Sequence, residues 1–560
     1  MFSVGLIFLY ILATTYVTGF LVLKGIDWLC GQEVAIRLAK ADGYVMAGLV
    51  AVTVYAQMFS LFYKVGFAAN LLLVGICVVT AIVFRKSLAE ELRKQYEGLT
   101  KGRKIFYLLL FLFMAYGTSR GILHYDTGLY HAQSIRWIEE YGVVKGLGNL
   151  HCRLAYNSSS FALSALYSFA FVGGQSYHCM AGFLALMLAK VCSELTGAWR
   201  AKKVRLSDWA RLMGIYYLLI IYDEMISPAS DYFMVLTVFY IVIRYLELIE
   251  RGEKSWVLYG LLSLLCVYVT SIKLSAALIV LLVIKPAVIM IKEKKIREIL
   301  VFIGCGLLIM MPYLIRNVVI SGWLVYPFTA IDFFDVDWKI PKGIADYDAK
   351  EIQVWGRGMY DVADYGKPFK EWAVSWFQLQ GTVDRLFVLA GIVAVPVSVA
   401  AFLAAAGKKK EMLRDGMFVA LVINASFLFW LFSAPLIRYG CVYVWLAAAV
   451  TFGGLATMLM PEGKLGKAFW RLAYVAIGLV GCYKTFALGR EIAAGYSGEY
   501  FVTQKDYENF EALSYEIDGI TFYYPVQGDR IGYEAFPSSP YEAALELRGK
   551  GIEDGFRYKK

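Results

Sequence analysis

The sequence predicts an all-α integral membrane protein, a polytopic bundle of about 14 transmembrane helices with extracytoplasmic loops. Of its 560 residues, 59% are hydrophobic, 16% are aromatic and only 18% are charged. The mean hydropathy of +0.58 is far above that of soluble domains. The Lys and Arg residues behind the net charge of +10 cluster between the apolar runs. Such clustering reflects orientation in a membrane, and it argues against nucleic-acid binding.

The N-terminal transmembrane helices are predicted within residues 1–104. Residues 1–25 lack a basic region and a small-residue cleavage motif, which is typical of a retained first span rather than a removed signal peptide. Residues 85–104 carry seven Lys and Arg residues, and this indicates the cytoplasmic side. The next apolar run must then emerge on the extracytoplasmic side. The spans predicted in this part are 3–24, 44–62, 66–84 and 105–119.

A catalytic module is predicted for residues 105–316, and it includes a first large extracytoplasmic loop at 119–176. The apolar stretch 159–174 in this loop is marginal in length for a crossing, so we expect it to lie along or dip into the outer leaflet. The basic stretch 198–205 predicts a return to the cytoplasm. The spans predicted after the loop are 177–197, 209–226, 232–249, 255–271, 274–291 and 298–315.

The C-terminal third contains two polar regions around a last group of spans. Residues 317–383 are rich in Asp, Trp, Tyr, Gly and Pro, and we expect an extracytoplasmic loop with short helices. Residues 384–488 hold the C-terminal transmembrane helices, and the polar tail 489–560 then lies outside, as does the N-terminus. The predicted spans are 385–404, 416–434, 440–459 and 468–488, with cytoplasmic loops that carry Lys408, Lys409, Lys410, Lys464 and Lys467.

The polar interval 119–160 concentrates groups that can handle protons, metal ions or phosphates. The carboxylate of Asp126 lies between His124 and His131 in sequence. His151 lies further along the interval, and His178 follows just past it. Three arginines are also close in sequence, namely Arg120, Arg136 and Arg153. We therefore predict that this loop forms the active site.

Acidic residues mark the same side of the membrane. Asp231 opens a span after the tight turn 227–230, and Asp223 and Glu224 close the span before it. Carboxylates at membrane depth are costly, and they are functional candidates by default. The alternative interpretation of Asp231 is a helix N-cap. For Asp126 the alternative is an ordinary loop or capping residue.

Four basic residues break the positive-inside pattern because they lie at outer span ends: Arg120, Lys273, Arg316 and Arg438. Each could extend its charge to the interface along its own aliphatic stem. Together they could clamp the phosphate of a ligand whose lipid tail lies in the bilayer, through charge-assisted hydrogen bonds. The four residues are therefore candidates for substrate binding.

The metal and redox chemistry of the loop stays open at this point. His124, His131 and Asp126 could hold a divalent cation, but their spacing matches no recognised ligand pattern. Cofactors are therefore unknown, with a divalent metal as one option. Cys152 and Cys179 could pair outside the cytoplasm, or each could be a simple buried thiol.

These features resemble the GT-C superfamily of polytopic glycosyltransferases, which take sugars from polyprenyl-phosphate carriers. More closely, the chain resembles an uncharacterised family of bacterial multi-span membrane proteins related to GT-C enzymes. The resemblance covers most of the chain. It is carried by the stretches YDTGLYHAQSIRWIEEYGVVKGLGNLHCRLAYNSS, SPASD, TSIKLS, RNVVISGWLVYP, VDWKIP, APLIRYG and GDRIGYEAFPSSPY.

The resemblance implies a GT-C-like helix arrangement in the bacterial inner membrane and roles for three of the candidate residues. Asp126 would be the catalytic base or a metal-side carboxylate, with Asp231 as the second acidic residue. From its place in the polar interval we also predict His131 as a catalytic residue. Arg438 would bind the carrier phosphate. The further substrate-binding candidates are Lys273, Arg316, Arg120, Arg153, His124 and Tyr130. The chain departs from the better-known pattern in Asp126-Thr127, where many members have paired acidic residues, and in about three extra spans before the loop.

Three functional hypotheses follow. The first is a glycosyltransferase that moves a sugar from a polyprenyl-phosphate donor to an envelope glycan or lipid acceptor on the extracytoplasmic face. The alternative is a polytopic transporter or flippase of lipid-linked saccharides, although the sequence shows no internal repeat of the transporter kind. A non-catalytic scaffold of the cell envelope is the third. We favour the first because of the large polar loop.

Overall fold

The computed structural model describes residues 1–31, 35–38, 40–195, 204–407, 411–459, 464–495 and 498–559. Most of the chain is α-helical, as the sequence predicts. Much of the basic stretch at 198–205, and the lysines at 408–410, lie outside the described residues. The helices in chain order are α1 (Phe2–Cys30), α2 (Ala35–Leu38), α3 (Ala41–Ser60), α4 (Phe67–Val83), α5 (Arg85–Glu97), α6 (Lys101–Ser119), α7 (Ala132–Glu140), α8 (Leu147–Leu150), α9 (Ser159–Leu166), α10 (Met180–Cys192), α11 (Leu206–Ile221), α12 (Ser230–Glu250), α13 (Trp256–Ile272), α14 (Ile284–Lys292), α15 (Ile296–Ser321), α16 (Lys342–Gly356), α17 (Phe369–Leu379), α18 (Thr382–Gly407), α19 (Glu411–Phe432), α20 (Ile437–Leu459) and α21 (Lys464–Ala493).

The chain is a multi-pass membrane protein. Among the described residues, nine helices are long and apolar enough to cross a bilayer, or ten if the bent pair α4 and α5 counts as one span. All the predicted spans coincide with helices, but α10, α11 and α13 have only 13, 16 and 17 residues. The α6 helix begins with the basic sequence KGRK. The count of about 14 spans therefore stays a prediction.

One end of the bundle, which we call the site end, gathers the segments predicted to be extracytoplasmic. The N-terminal amine of Met1 donates to the carbonyl of Thr503 at 2.9 Å, and the backbone N–H of Lys505 donates to Ser119 at 2.7 Å. The side chain of Asn149 donates to the carbonyl of Trp338 at 2.8 Å. The N-terminus, the loop after α6, the 317–383 region and the tail thus lie together.

The opposite end is closed by a buried network of ion pairs. Arg244 of α12 pairs with Asp42 of α3 at 2.7 Å and with Glu247 at 2.6 Å. Arg211 of α11 pairs with Asp208 at 2.8 Å. These charged groups can be buried at this end of the bundle because each of them has a partner of opposite charge. The separation of the two ends agrees with the predicted alternation of the chain.

The α12 helix is the centre of the bundle. Every residue in its most apolar window is buried by protein. It begins at the site end with Asp231 in its first turn and reaches the opposite end at Arg244. Close packing around the core depends on small residues: a Cβ on Gly19 of α1 would lie 1.8 Å from the carbonyl oxygen of Tyr44 in α3. The two helices can approach so closely only because glycine has no side chain.

The apolar stretch 159–174 lies partly inside the protein. Its helix α9 is entirely buried inside the protein, and the residues that follow at 169–174 reach the surface. The helix is enclosed by protein rather than lying on the surface of the bundle, and the expected position of the stretch at the outer leaflet stays a prediction. Its serines explain the burial, since Ser158 donates to the carbonyl of Ile272 at 2.8 Å and Ser271 to Ser159 at 2.9 Å. These bonds attach α9 to the end of α13.

The tail contains strands that the sequence analysis missed. Strands β1 (Ala512–Ile517) and β2 (Ile520–Pro525) form an antiparallel hairpin, and β3 (Leu545–Leu547) pairs with β4 (Phe556–Tyr558). The hairpin turn is Asp518-Gly519, with both residues at positive φ. An Asp-Gly pair between β-branched and aromatic residues is a strong hairpin signal. It was available in the sequence and identifies this part of the tail as a small β unit.

The orientation of the bundle can be tested by cysteine labelling. We expect the site end to lie outside, because the basic α5 helix lies at the other end. In a Cys482→Ser background, an impermeant maleimide should label Tyr360→Cys in right-side-out vesicles, since Tyr360 is 86% exposed. The same reagent should label Ser87→Cys only after permeabilisation. If Ser87→Cys, and not Tyr360→Cys, were labelled in sealed vesicles, the protein would have the opposite orientation.

Candidate functional site

The loop after α6 is fixed by the turn that precedes α12. The backbone N–H of Ile122 donates to the carbonyl of Asp223 at 2.8 Å, and that of His124 donates to the Ser227 hydroxyl at 2.7 Å. Gly121 has φ +119°, and a Cβ there would lie 2.2 Å from the Asp223 carbonyl oxygen. Only glycine allows this approach. The loop therefore brings His124 and Asp126 next to the start of α12.

A π-helical turn at Thr127–His131 connects this loop to α7. Such turns are rare, and they occur frequently at functional sites. Asp126 directly precedes the turn and makes no capping hydrogen bond with its carboxylate. Asp126 occupies the N-cap position of this turn without capping it through its side chain, and an ordinary loop residue stays the alternative interpretation. Its carboxylate is available to other side chains.

Arg438 binds the loop from the opposite side. Its Nη2 donates to Asp126 Oδ2 at 2.8 Å, and its Nη1 donates to Nε2 of His124. Its Nε lies 4.0 Å from Asp231 Oδ2. Arg438 is in the first turn of α20, which bends at Gly440 because the backbone there is not helical. The side chain therefore reaches two carboxylates from distant parts of the chain.

Lys273 completes the group by pairing with Asp231. Lys273 lies at the break between α13 and the 3₁₀ helix Leu274–Val283, where its extended backbone interrupts the helical path. Its ammonium also lies 4.0 Å from the centre of the Tyr439 ring. Asp231 is in the first turn of α12, whose N-cap is Ala229. The N-cap interpretation of Asp231 is thus wrong, and its partner is a cation.

We call His124, Asp126, Asp231, Lys273 and Arg438 the Arg438 cluster. Arg438 pairs with Asp126 at 2.8 Å and lies 4.0 Å from Asp231, so both carboxylates lie at the same guanidinium although more than a hundred residues separate them in sequence. Burial, and then the Arg438 charge, lower the pKa of His124 below its usual value. A neutral imidazole can accept the hydrogen bond that Arg438 donates. The cluster thus combines two carboxylates, two cations and one neutral histidine.

His131 and Tyr130 lie behind the Arg438 cluster. The His131 ring centre is 6.4 Å from that of His124, and the residue is 1% exposed. Burial holds the pKa of His131 well below its usual value, so the ring is neutral. Tyr130 packs against His131 with a ring distance of 4.4 Å. Both residues support the loop from within, and their catalytic and binding roles stay predictions.

The other predicted basic residues lie apart from the cluster, each with partners of its own. Arg120 pairs with Asp223 at 3.0 Å and Glu491 at 3.2 Å. Arg153 pairs with Glu351 at 3.1 Å. Arg316 is buried, and its Nε donates to Asn157 at 2.9 Å. The four outer cations therefore do not form one clamp, because only Lys273 and Arg438 meet.

The cluster shows no metal-binding arrangement. Within the described ranges, no group of three or more His, Cys, Asp and Glu side chains is placed to hold a metal ion. His124 Nε2, which could be a ligand, is occupied by the Arg438 hydrogen bond. Cys152 and Cys179 are free thiols, so the disulfide alternative is not found. The side chains of the cluster are of the types that can transfer protons and bind phosphate.

The tail covers the loop, and the sequence analysis did not predict this contact. The backbone N–H groups of Ile531 and Gly532 donate to the carbonyl of Gly128 at 3.0 and 2.9 Å. Gln133 donates to the carbonyl of Ala535 at 3.0 Å. A Cβ on Gly128 would lie 2.9 Å from the Phe510 ring, so the tail also packs on this glycine. The tail therefore holds the π-helical turn in place.

A buried carboxyl group joins the tail to α7. Glu139 accepts hydrogen bonds from the hydroxyls of Tyr533 and, at 2.9 Å, Ser176. Burial raises the pKa of Glu139 to about 7 from an ordinary value of 4.5. The protonated form is therefore favoured when the tail is docked. Docking should respond to pH near neutrality.

A comparison with known protein families gives one match. The model of a family described as Domain of unknown function (DUF8201) matches residues 1–445. No curated protein and no solved structure matches the chain. The matched range includes all five residues of the Arg438 cluster and ends shortly after Arg438, whereas the tail lies beyond it.

Stability should fall as Glu139 ionises. The pKa of Glu139 is raised in the folded protein. Its contribution to the free energy of unfolding is therefore present below about pH 4.5 and is lost as the pH rises through about 7. We expect the Tm of the wild type to fall, relative to that of Glu139→Gln, between pH 5.5 and 8.5 in detergent. Glu140→Gln, at the exposed neighbouring position, should follow the wild type. A constant difference between wild type and Glu139→Gln across this range would contradict the assignment.

The Lys273–Asp231 pair gives a test by double substitution. Lys273→Met leaves the buried Asp231 carboxylate without its closest cation, which costs roughly 3–5 kcal/mol at buried pairs. We expect a clearly lower Tm, and a substantial recovery in Lys273→Met/Asp231→Asn. Lys339→Met breaks a pair with the half-exposed Asp332 and should change stability by no more than about 1 kcal/mol. Equal losses in the single and double variants would show that the pair is not coupled.

Proposed function

We propose that this chain, which belongs to the family described as Domain of unknown function (DUF8201), is a membrane glycosyltransferase. It transfers a sugar from a polyprenyl-phosphate-linked donor to an envelope glycan or lipid acceptor. We place the reaction on the extracytoplasmic face of a bacterial inner membrane. The observation that carries the proposal is the placement of Arg438 between Asp126 and Asp231, with Lys273 beside it, at the site end of a membrane bundle.

The two cations of the cluster suit the phosphate of the donor. Arg438 presents planar N–H donors, and Lys273 adds a second positive charge. Arg438 Nη2 donates to Asp126, and Lys273 pairs with Asp231, whereas the buried Nε of Arg438 has no hydrogen-bond partner among the described residues. A bound phosphate would take over part of these hydrogen bonds. The clamp would then stabilise the negative charge that develops on the phosphate as it leaves the sugar.

Asp126 is the proposed general base. Its side chain is only 16% exposed, and among the described residues its arginine or lysine partner is Arg438. When Arg438 turns toward the donor phosphate, Asp126 becomes free to accept the proton of an acceptor hydroxyl. The acceptor oxygen forms a bond to the anomeric carbon, and the bond from that carbon to the phosphate oxygen breaks. The electron pair leaves with the phosphate, which keeps its contact with Arg438 and Lys273.

Asp231 and His124 act through the two cations. Asp231 holds Lys273 and lies beside Arg438 Nε. His124 accepts from Arg438 Nη1 and therefore helps to orient the guanidinium plane. We assign both as positioning residues, because their contacts are to the clamp. His131, one layer further in, keeps the His124 loop packed.

The alternative, a transporter or flippase, requires a polar path between the two membrane faces. The α12 helix connects the Arg438 cluster with the ion pairs of the opposite end, and every residue between Asp231 and Arg244 is buried. These residues are mainly apolar, and Thr237 donates to a carbonyl of its own helix at 2.7 Å. The polar groups of the two ends are thus separated along α12. This favours chemistry at one end over transport.

Two substitutions should distinguish the role of Asp126 as the general base from the role of Arg438 in binding the phosphate. In an assay of the purified protein with a polyprenyl-phosphate sugar and an acceptor, Asp126→Asn should lower kcat by about 10²–10⁴-fold with little change in the KM for the donor. Arg438→Ala should raise that KM, because it removes a contact already made in the ground state. Glu140→Gln, an exposed carboxylate on α7, should behave as the wild type.

Normal product formation by Asp126→Asn would exclude it as the base. Movement of intact lipid-linked sugar across a vesicle membrane, without cleavage of the sugar–phosphate bond, would favour the transporter instead. Either result would overturn the proposed function while leaving the geometry of the cluster unchanged.

A further inference from the structure

A second polar cavity lies at the site end, separate from the Arg438 cluster. Its volume is about 530 Å³, and it lies between the end of α6, the end of α11, α21 and the tail. Its wall includes Tyr222 and Tyr483 together with charged side chains. The charged residues are Arg120, Asp223, Lys484, Glu491 and Lys505. The proposed function makes no use of this cavity.

The charges around the cavity favour an anion. Three cations face two carboxylates, so the wall carries a net positive charge. Asp223 is shared, since it pairs with Arg120 at 3.0 Å and with Lys484 at 2.9 Å. The ammonium of Lys505 donates to the carbonyl of Gly121 at 3.0 Å. Lys505 also lies 3.9 Å from Glu508, which is not part of the wall, so the excess of one positive charge belongs to the wall residues alone.

Arg120 supplies a donor without a partner. The residue is only 7% exposed, and its guanidinium carbon lies 5.6 Å from the ring centres of both Tyr116 and Tyr222. Its Nε is buried and has no hydrogen-bond partner among the described residues. An unpaired buried donor is costly. The guanidinium of Arg120 belongs to a residue of the cavity wall, and an acceptor brought there would reduce this cost.

The α21 helix next to the cavity is open to lipid. None of the 18 residues in its most apolar window is buried by the described parts of the chain. Tyr483 and Phe486, close to the cavity, are 69% and 66% exposed. The helix is tied to the bundle at this end by the Lys484–Asp223 and Glu491–Arg120 pairs. An amphiphile could therefore reach the cavity from the bilayer along α21.

We infer that this cavity binds the phosphate headgroup of a lipid whose hydrocarbon chain lies along α21. Guanidinium and ammonium groups are the usual partners of phosphate, through charge-assisted hydrogen bonds. We assign the phosphate to a lipid because the apolar surface of α21 begins directly beside the polar wall of the cavity. This site is additional to the Arg438 cluster, and it exists whether or not the protein transfers a sugar.

The two sites lie close together through the loop after α6. Gly121 and Ile122 belong to the cavity wall, and His124 and Asp126 follow them in the same loop. Asp223 holds this loop through its carbonyl and holds the cavity cations through its carboxylate. A lipid phosphate in the cavity would thus be connected to the proposed reacting groups through this loop. In the context of the proposed function, this is the place for a second, lipid-borne substrate.

The test measures binding of farnesyl phosphate to the purified full chain in detergent, by titration calorimetry. An Arg438→Ala background removes the clamp of the other site. We expect saturable binding, which Lys484→Gln weakens by about tenfold or more because it deletes a charge-assisted contact. Lys505→Gln should also weaken it, and Lys339→Gln, an outer cation paired elsewhere, should leave it unchanged. Arg120→Gln serves as a further variant if it folds.

Several outcomes would overturn the inference. One is the absence of saturable binding in the Arg438→Ala background, and another is an unchanged affinity in both Lys484→Gln and Lys505→Gln. Displacement of the probe by inorganic phosphate at equal concentration would show a free-phosphate site, and equal binding of farnesol would show that the phosphate is not recognised. Binding as expected, in a protein that transfers no sugar, would support this site and reject the proposed function.

Discussion

The Arg438 guanidinium is the interaction on which the arrangement of the site end depends. It lies in the first turn of α20, yet it contacts the loop after α6 and lies beside the first turn of α12. Asp126 and Asp231 compensate its charge where a membrane environment would otherwise make it costly. One side chain thus holds a loop and two helices together. Any ligand that takes its hydrogen bonds must also release Asp126.

The positions of the helices and of the cluster could be predicted for the same physical reason. Apolar runs of sufficient length have few alternatives to a helix in a bilayer, and charges at their ends are costly enough to be informative. Asp231, Lys273 and Arg438 were found in this way, and Asp126 was found because it lies between His124 and His131 in a polar interval. Arg120, Arg153 and Arg316 gave the same signal, but their partners Glu491, Glu351 and Asn157 come from distant segments. Such pairings leave no local pattern in the sequence.

The tail shows a different limit of prediction. Its contacts with the loop are largely main-chain hydrogen bonds, such as those from Ile531 and Gly532 to Gly128. Main-chain bonds do not depend on side-chain type, so composition cannot reveal them. Gly128 belongs to one of the stretches that carry the family resemblance. The reason for a glycine at this position is steric, since Phe510 leaves no room for a side chain. The hairpin at Asp518-Gly519 was predictable, and only its docking was not.

The length of α12 explains how a charged site can lie so close to lipid. Asp231 and Arg244 are separated by about 20 Å along the helix axis, at 1.5 Å per residue. A hydrocarbon core is roughly 30 Å thick, so these two charged groups cannot both lie at the headgroup level of an undistorted bilayer. The protein tolerates this because α12 is wholly enclosed and both charges are paired. A lipid-linked substrate could therefore meet the Arg438 cluster, or the cavity beside α21, without lifting its phosphate far from the membrane.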